Sequence, residues 1–111
     1  MAKLECTLNG DFDQILDKIE NGIINGSISA SLEDSSDFYS DSARCSVRVF
    51  ERYSLTGNNR LSLSVTLFQN KGDDVYLSAI TAGGSQAVLF KINTFGEQAF
   101  LDKLREVIFD G

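Results

Sequence analysis

The sequence contains no histidine, no proline and no tryptophan, and it has only two cysteines. The absence of histidine excludes Ser-His-Asp triads, histidine metal ligands and histidine proton relays, which carry much of known catalytic and metal chemistry. Two cysteines cannot build a zinc site from thiolates alone. We therefore expect no catalytic residue, no metal site and no cofactor, and an enzyme is the least favoured class of function.

Long apolar runs are also missing. No segment approaches the roughly 20 apolar residues that span a bilayer, so no membrane partner is expected. Residues 1–6 lack the apolar segment typical of a secretory signal. Cys6 and Cys45 are accordingly predicted to be free thiols facing the core of a cytoplasmic protein.

Acidic residues outnumber basic ones by 16 to 10, which gives the 111-residue chain a net charge of −6. This balance argues against a nucleic-acid partner, because phosphates require a basic surface. The charge is nevertheless uneven, since residues 43–71 contain five basic residues and one acidic residue. These basic residues either pair with acidic residues inside the fold or bind an anionic partner.

Two amphipathic helices are predicted, each preceded by a capping box. Asp11 with Gln14 marks the start of the first helix, and Thr94 with Glu97 marks the start of the second. Apolar residues at helical spacing follow each box. They are Phe12, Ile15, Leu16, Ile19 and Ile23 in the first helix, and Phe100, Leu101, Leu104, Val107 and Ile108 in the second.

Alternation of apolar and polar residues predicts strands at residues 3–8, 27–32, 43–54, 60–69 and 74–82, with a last strand around residues 85–92. In the second strand, Ile28, Ala30 and Leu32 alternate with serines. The acidic stretch 33–41 is predicted to be a loop whose two aromatic residues fold back onto the surface.

Two registers follow from this pattern. The third strand is predicted to bury Cys45, Val47, Val49 and Tyr53, and the fourth to bury Leu61, Leu63, Val65 and Leu67. Both sets are odd-numbered, so the loop between these strands should contain three or five residues unless a bulge intervenes. Gly83-Gly84 is predicted to be a two-residue hairpin turn that pairs Ala79 with Val88 and Leu77 with Phe90.

The resulting order is β-α-β5-α over a single domain, residues 1–111. Strands joined by short turns predict a mostly antiparallel meander sheet, and two amphipathic helices on one face make a two-layer α+β sandwich. This arrangement is similar to helix-grip folds and to the fold of the TATA-binding protein. The similarity concerns architecture alone and implies no DNA binding.

Several segments together resemble a small uncharacterised family of Firmicutes proteins of about this length. They are SASLED at 29–34, VRVFERYS at 47–54, SVTLF at 64–68, YLSAITAGGSQ at 76–86 and KINTFGE at 91–97. The resemblance extends over nearly the whole chain and implies a bacterial cytosolic protein. It implies no activity, and it assigns a role to no residue.

The outer face of the predicted sheet is the main candidate site. Arginine beside aromatic rings and hydroxyl groups suits either a protein interface or an anionic, partly apolar small ligand. A homodimer joined through this face explains its apolar residues, and binding of a small ligand is the alternative. The candidate binding residues are Arg48, Phe50, Arg52, Ser64, Thr66, Phe68 and Tyr76.

Three further features are interpreted as structural. The Gly83-Gly84 turn could bind an anion through its backbone amides, but a hairpin already explains it. Asp34, Asp37 and Asp41 could bind Ca²⁺ weakly, although their spacing is not that of an EF-hand loop. Cys45 has no histidine to activate it and is predicted to be an inert core residue.

Overall fold

The computed structural model describes residues 1–53, 59–83 and 90–110, without the side chains of 90–96 and 110. These residues form an open five-stranded antiparallel sheet and two helices. The strands are β1 (Ala2–Leu8), β2 (Ser31–Tyr39), β3 (Ala43–Tyr53), β4 (Arg60–Asn70) and β5 (Val75–Gly83). The helices are α1 (Phe12–Gly26) and α2 (Phe90–Arg105), the latter continued by a π-helical turn, Glu106–Asp110.

The sheet has the order β1-β5-β4-β3-β2, with every neighbouring pair antiparallel. Strands β2 to β5 form a meander, and β1 joins the edge beside β5. Helix α1 therefore carries the chain from one edge of the sheet to the other. The predicted α+β class and antiparallel sheet are confirmed.

One core lies between the helices and the sheet. The predicted stripe of α1 supplies Phe12, Leu16, Ile19 and Ile23, all buried. The predicted capping box of α1 is also confirmed, because the Asp11 carboxylate accepts a hydrogen bond of 3.0 Å from the backbone N–H of Gln14. The rest of the core is Leu4, Phe50, Leu61, Leu63, Val65, Leu67, Val75, Leu77, Ala79, Phe100, Leu101 and Leu104.

The prediction for the buried side of β3 was wrong. Phe50 lies opposite Leu63 and is fully buried, whereas Val47 and Val49 are only partly buried on the other face. Six residues separate Tyr53 from Arg60, an even number, so even-numbered residues of β3 face the same side as odd-numbered residues of β4. Because both faces of β3 carry apolar residues, alternation alone could not identify the covered face.

The second strand lies further along the chain than predicted. Residues 33–39, interpreted as an acidic loop, belong to β2, and Ile28 is fully exposed in the connection that follows α1. Pairing with β3 supplies the backbone hydrogen bonds that override the weak strand propensity of serine and aspartate. Charged side chains on this edge strand also oppose pairing with another chain.

The last predicted strand is also wrong. Phe90 and Ile92 lie in α2, which begins four residues before the expected start at Thr94, and Val88 lies outside the described residues. The edge of β5 is occupied by β1, so Ala79 lies opposite Leu4. Glu97 is buried within α2, and its Oε1 lies 3.1 Å from the amino nitrogen of Met1.

Gly22 allows α1 to approach the C-terminal turn closely. A Cβ atom at this position would lie 2.5 Å from Cγ1 of Val107, a distance that real side chains do not tolerate. The predicted Gly83-Gly84 hairpin falls mostly outside the described residues, of which only Gly83, at the end of β5, is included. None of the helices among the described residues has the length and apolar character needed to cross a bilayer.

Candidate functional site

The structure divides the predicted binding residues between the two faces of the sheet. Arg48 and Phe50 are buried beneath the helices, and Arg52 points to the same side. The other four lie on the opposite face, which we call the outer face. They are Ser64, Thr66, Phe68 and Tyr76.

Strand register aligns the outer face into rows that run across the sheet. The first is mainly aromatic, and we call it the aromatic row. Its side chains remain accessible, with 65% of Phe38, 48% of Tyr76 and 38% of Phe68 exposed. From β2 to β1 the aromatic row consists of Phe38, Cys45, Phe68, Tyr76 and Thr7.

Two further rows lie beside the aromatic row and have polar residues at both edges; Val47 is the apolar member of the second row, and Val49 and Ile80 are those of the third. The second row consists of Ser36, Val47, Thr66, Ser78 and Glu5, and the third of Asp34, Val49, Ser64, Ile80 and Lys3. An apolar patch of this kind on a sheet face is more than a solvated surface needs, and it is typical of an interaction site.

The outer face is uneven, with hollows between protruding side chains. A hollow of about 350 Å³ lies over β5, between Phe68 on one side and Glu5 and Thr7 on the other. A smaller cavity of about 150 Å³ separates Phe38 from Phe68. Protruding rings beside hollows allow two protein surfaces to pack with high shape complementarity.

The arginines of β3 face the helices at intervals of four residues, and two of them bind acidic residues of α1. Arg44 Nη2 lies 3.0 Å from Asp13 Oδ1, and Arg48 Nε lies 2.6 Å from Glu20 Oε1. Four strand residues extend about 13 Å and seven helical residues about 10 Å, so α1 and β3 present these charges at matching spacing. Pairing inside the fold accounts for the charge of these two arginines.

Arg48 is the most enclosed of the three. Its Nη1 lies 3.1 Å from Asp37 Oδ1, in addition to the Glu20 contact. Burial disfavours the guanidinium charge, but hydrogen bonds to Glu20 and Asp37 outweigh this effect and raise the pKa of Arg48. Two carboxylates from different elements therefore hold one cation between β2, β3 and α1.

Arg52 differs because it has no carboxylate partner among residues 1–53, 59–83 and 97–109. Its guanidinium lies over the ring of Phe100, 4.4 Å from the ring centre, and its Nη1 donates a 2.9 Å hydrogen bond to Ser27 Oγ. Its buried Nε has no hydrogen-bond acceptor within the described part of the chain. Burial accordingly lowers the pKa of Arg52.

The model of a family of unknown function, DUF6054, matches residues 1–110. The chain belongs to this family. The predicted resemblance to an uncharacterised family is thereby confirmed. No curated protein and no solved structure shows significant similarity to the chain. The geometry of this DUF6054 chain is therefore the basis for any functional conclusion.

The Asp37 carboxylate makes folding of this DUF6054 chain sensitive to acid. Hydrogen bonds from Ser46 and Arg48 hold the pKa of Asp37 below its ordinary value of 3.8. A depressed folded-state pKa stabilises the fold above the ordinary value, and this contribution is lost as the pH falls through the lower one. We expect Asp37→Asn to be less stable than wild type at neutral pH, and the difference to shrink roughly between pH 5 and pH 2.

Urea unfolding of both proteins across this pH range measures the effect. Asp41→Asn is the matched control, since Asp41 lies in the exposed turn after the same strand without an arginine partner among the described side chains. A difference between wild type and Asp37→Asn that stays constant at every pH would contradict the assignment.

The two cysteines lie on opposite faces, and both are free. Cys6 lies on the side of the helices, where burial raises the pKa of its thiol. Cys45 lies in the aromatic row, so the prediction that it faces the core was wrong. The three aspartates considered for Ca²⁺ are separated, and the described part of the chain holds no cluster of three potential metal ligands.

Sequence reasoning missed Phe38 as a member of the site. It was placed in an acidic loop because aspartate and serine surround it. The sequence does contain one indication of its role, because two adjacent aromatic residues within a polar segment suggest contact with other apolar groups. Cys45, Val47 and Val49 were missed because their alternation is that of a core strand, and only the pairing register places them outside.

Proposed function

We propose that this DUF6054 chain is a non-enzymatic interaction module that forms a homodimer through the outer face. The aromatic row carries the proposal. Antiparallel sheets can leave one face to water, but that face is then usually polar. Here Phe38, Phe68 and Tyr76 are accessible within one row, and Val49 and Ile80 continue the apolar surface.

The size of the outer face also supports pairing. Five strands spaced about 4.8 Å apart, each contributing seven or eight residues, present a face of about 600 Å². Two such faces bury about 1,200 Å², which is at the lower end of the range for stable, specific interfaces. A homodimer needs one self-complementary patch, so a single sequence supplies both sides.

Replacing Phe68 with serine tests this proposal. We expect wild type to sediment as a species of twice the 12.2 kDa chain mass at micromolar concentration. Phe68→Ser should raise the dimer dissociation constant roughly 30-fold, because Phe68 lies on the middle strand of the sheet, where truncated aromatic residues have their largest effects. Sedimentation equilibrium over a concentration series measures both values.

Phe109→Ser is the matched control. Phe109 is also an exposed phenylalanine, but it lies in the C-terminal π-helical turn and not on the sheet. It should leave the dissociation constant unchanged. Wild-type protein that sediments only as a 12.2 kDa monomer throughout the micromolar range would refute the homodimer.

Arg52 favours a second candidate, binding of a small anionic or amphipathic ligand. A guanidinium with no carboxylate partner among the described residues can bind an anion, and its position over the buried Phe100 ring orients it. The strand order supports a helix-grip-like or TATA-binding-protein-like architecture, which we propose for the arrangement of elements alone. In helix-grip folds, such ligands lie between sheet and C-terminal helix.

Thermal shift with inorganic phosphate and with short-chain fatty acids tests this candidate, because a ligand that binds only the folded state raises Tm. The shift should disappear in Arg52→Gln and persist in Arg60→Gln, whose arginine is already paired with Glu51 at 2.7 Å. No shift with either ligand class would count against the candidate.

We propose a bacterial cytoplasm as the location. Two free thiols on opposite faces of one sheet cannot bond to each other within a chain, and free thiols persist in reducing compartments. No nucleic-acid partner is proposed, because the basic residues Arg44, Arg48 and Arg60 are paired with carboxylates of the chain.

A further inference from the structure

We infer that the two copies pair face to face around a twofold axis that runs along β4, so that β1 of each copy lies over β2 of the other. The inference rests on the proposed homodimer and specifies its arrangement. β4 is the middle strand of the sheet, so this axis exchanges β3 with β5 and β1 with β2. Each cross-strand row then lies over the same row of the partner.

The apolar residues of the face meet one another in this arrangement. Phe68, on the axis, lies against the partner's Phe68, and Val49 lies over the partner's Ile80, because both belong to the third row on strands that the axis exchanges. Facing sheets approach to about 10 Å, a distance that side chains of this size fill.

The protrusions of one face also match the hollows of the partner's face. Phe38, the most exposed ring of the aromatic row, lies over the partner's Thr7 at the opposite edge. Thr7 borders the 350 Å³ hollow beside Phe68. The ring that protrudes from one edge of the sheet therefore faces the hollow at the other edge of the partner, twice in each dimer.

Charges at the two edges are complementary. Lys3 on β1 and Asp34 on β2 share the third row, so each Lys3 lies over the partner's Asp34. Within one chain these residues are four strand spacings apart, about 19 Å, and cannot contact each other. The nearest carboxylate to Lys3 in its own chain is Glu5, at 3.7 Å, and both side chains are largely exposed.

This axis brings Arg60 near its own copy, since Arg60 lies at the start of β4. Its guanidinium is held by Glu51 at 2.7 Å and Glu33 at 3.4 Å. Two acidic residues thus offset the charge in each copy, and the arrangement places no unpaired like charges together at this end of the axis.

A twofold axis perpendicular to the strands fits the face less well. An axis across the strands at the second row keeps each strand over its own copy and exchanges the first and third rows. Phe38 then lies over the partner's Asp34, and Phe68 over the partner's Ser64. Lys3 lies over the partner's Thr7, so both ion pairs and the Phe38 contact with the hollow are lost.

Exchanging the two edge charges tests the arrangement. Lys3→Glu and Asp34→Lys should each raise the homodimer dissociation constant about tenfold, because each places two like-charged pairs in the interface. A mixed dimer of the two variants restores opposite charges at both contacts. We expect native mass spectrometry of an equimolar mixture to show the mixed dimer well above the statistical half.

Cross-linking provides a measurement that does not depend on charge. In a Cys6→Ser/Cys45→Ser background, Val49→Cys and Ile80→Cys should each resist a short bis-maleimide alone and cross-link to each other when mixed. A reagent that spans the gap is needed because facing sheets are too far apart for a disulfide.

The outcomes distinguish the arrangement from the proposed function. Monomeric wild type would overturn both. A second outcome is that wild type is a dimer, the two charge variants mix only statistically and Val49→Cys cross-links efficiently to itself. This outcome would support the homodimer but overturn the axis along β4. Asp41→Lys is the control, because it changes an exposed charge in the turn after β2. When it takes the place of Asp34→Lys in the equimolar mixture with Lys3→Glu, the mixed dimer should stay at the statistical half.

Discussion

Replacing Phe50 with alanine is expected to lower the free energy of unfolding by about 3–5 kcal/mol. Phe50 has no accessible surface and lies opposite Leu63 in the layer between sheet and helices. Removing the ring leaves a cavity that close-packed neighbours cannot fill completely. Because total stability is about 5–15 kcal/mol for a domain of this size, this single change should shift the urea unfolding midpoint strongly.

Phe68→Ala is the matched control, since it makes the same substitution on the adjacent strand and on the opposite face. Measured below the dimer dissociation constant, it should cost about 1 kcal/mol or less, because the ring is already partly exposed. A loss for Phe50→Ala no larger than that for Phe68→Ala would mean that β3 presents its odd-numbered residues to the helices, as its sequence pattern indicates.

Replacing Arg48 with alanine is the second large effect. It leaves the carboxylates of Glu20 and Asp37 close together without the cation that both now bind. Breaking a buried ion pair costs about 3–5 kcal/mol, and partial exposure of the two carboxylates reduces the expected loss to about 2–3 kcal/mol. Urea unfolding at neutral pH measures it.

Two variants show whether charge is the cause. Arg60→Ala removes an exposed arginine that also contacts two carboxylates, and it should cost much less than Arg48→Ala because exposed ion pairs contribute little to stability. Combining Arg48→Met with Glu20→Gln and Asp37→Asn should recover much of the loss, because no unpaired charge then remains. If Arg48→Ala and Arg60→Ala lower the free energy of unfolding equally, the buried network adds no more to stability than a surface ion pair does.

Elements with one clearly more apolar side could be predicted from local sequence alone. The stripe of α1, with Asp11 at its cap, could be predicted because one helical face is apolar and the other is polar. The inward set of β4, such as Leu63, was predicted because, apart from Phe68, small hydroxyl residues alternate with it. Local patterns are sufficient where each face of an element has one character.

Tertiary contacts select the covered face of β3, the extent of β2 and the strand that adjoins β5. An alternating pattern fixes two sets of residues but not which set meets the helices, and Arg48 is buried because α1 and β2 supply its carboxylates. The hydrogen-bonding edge of β5 is filled by β1, about 70 residues earlier in the sequence. Such pairings are selected by contacts between distant segments, so the outer face and its aromatic row come from the fold and cannot be read from local pattern.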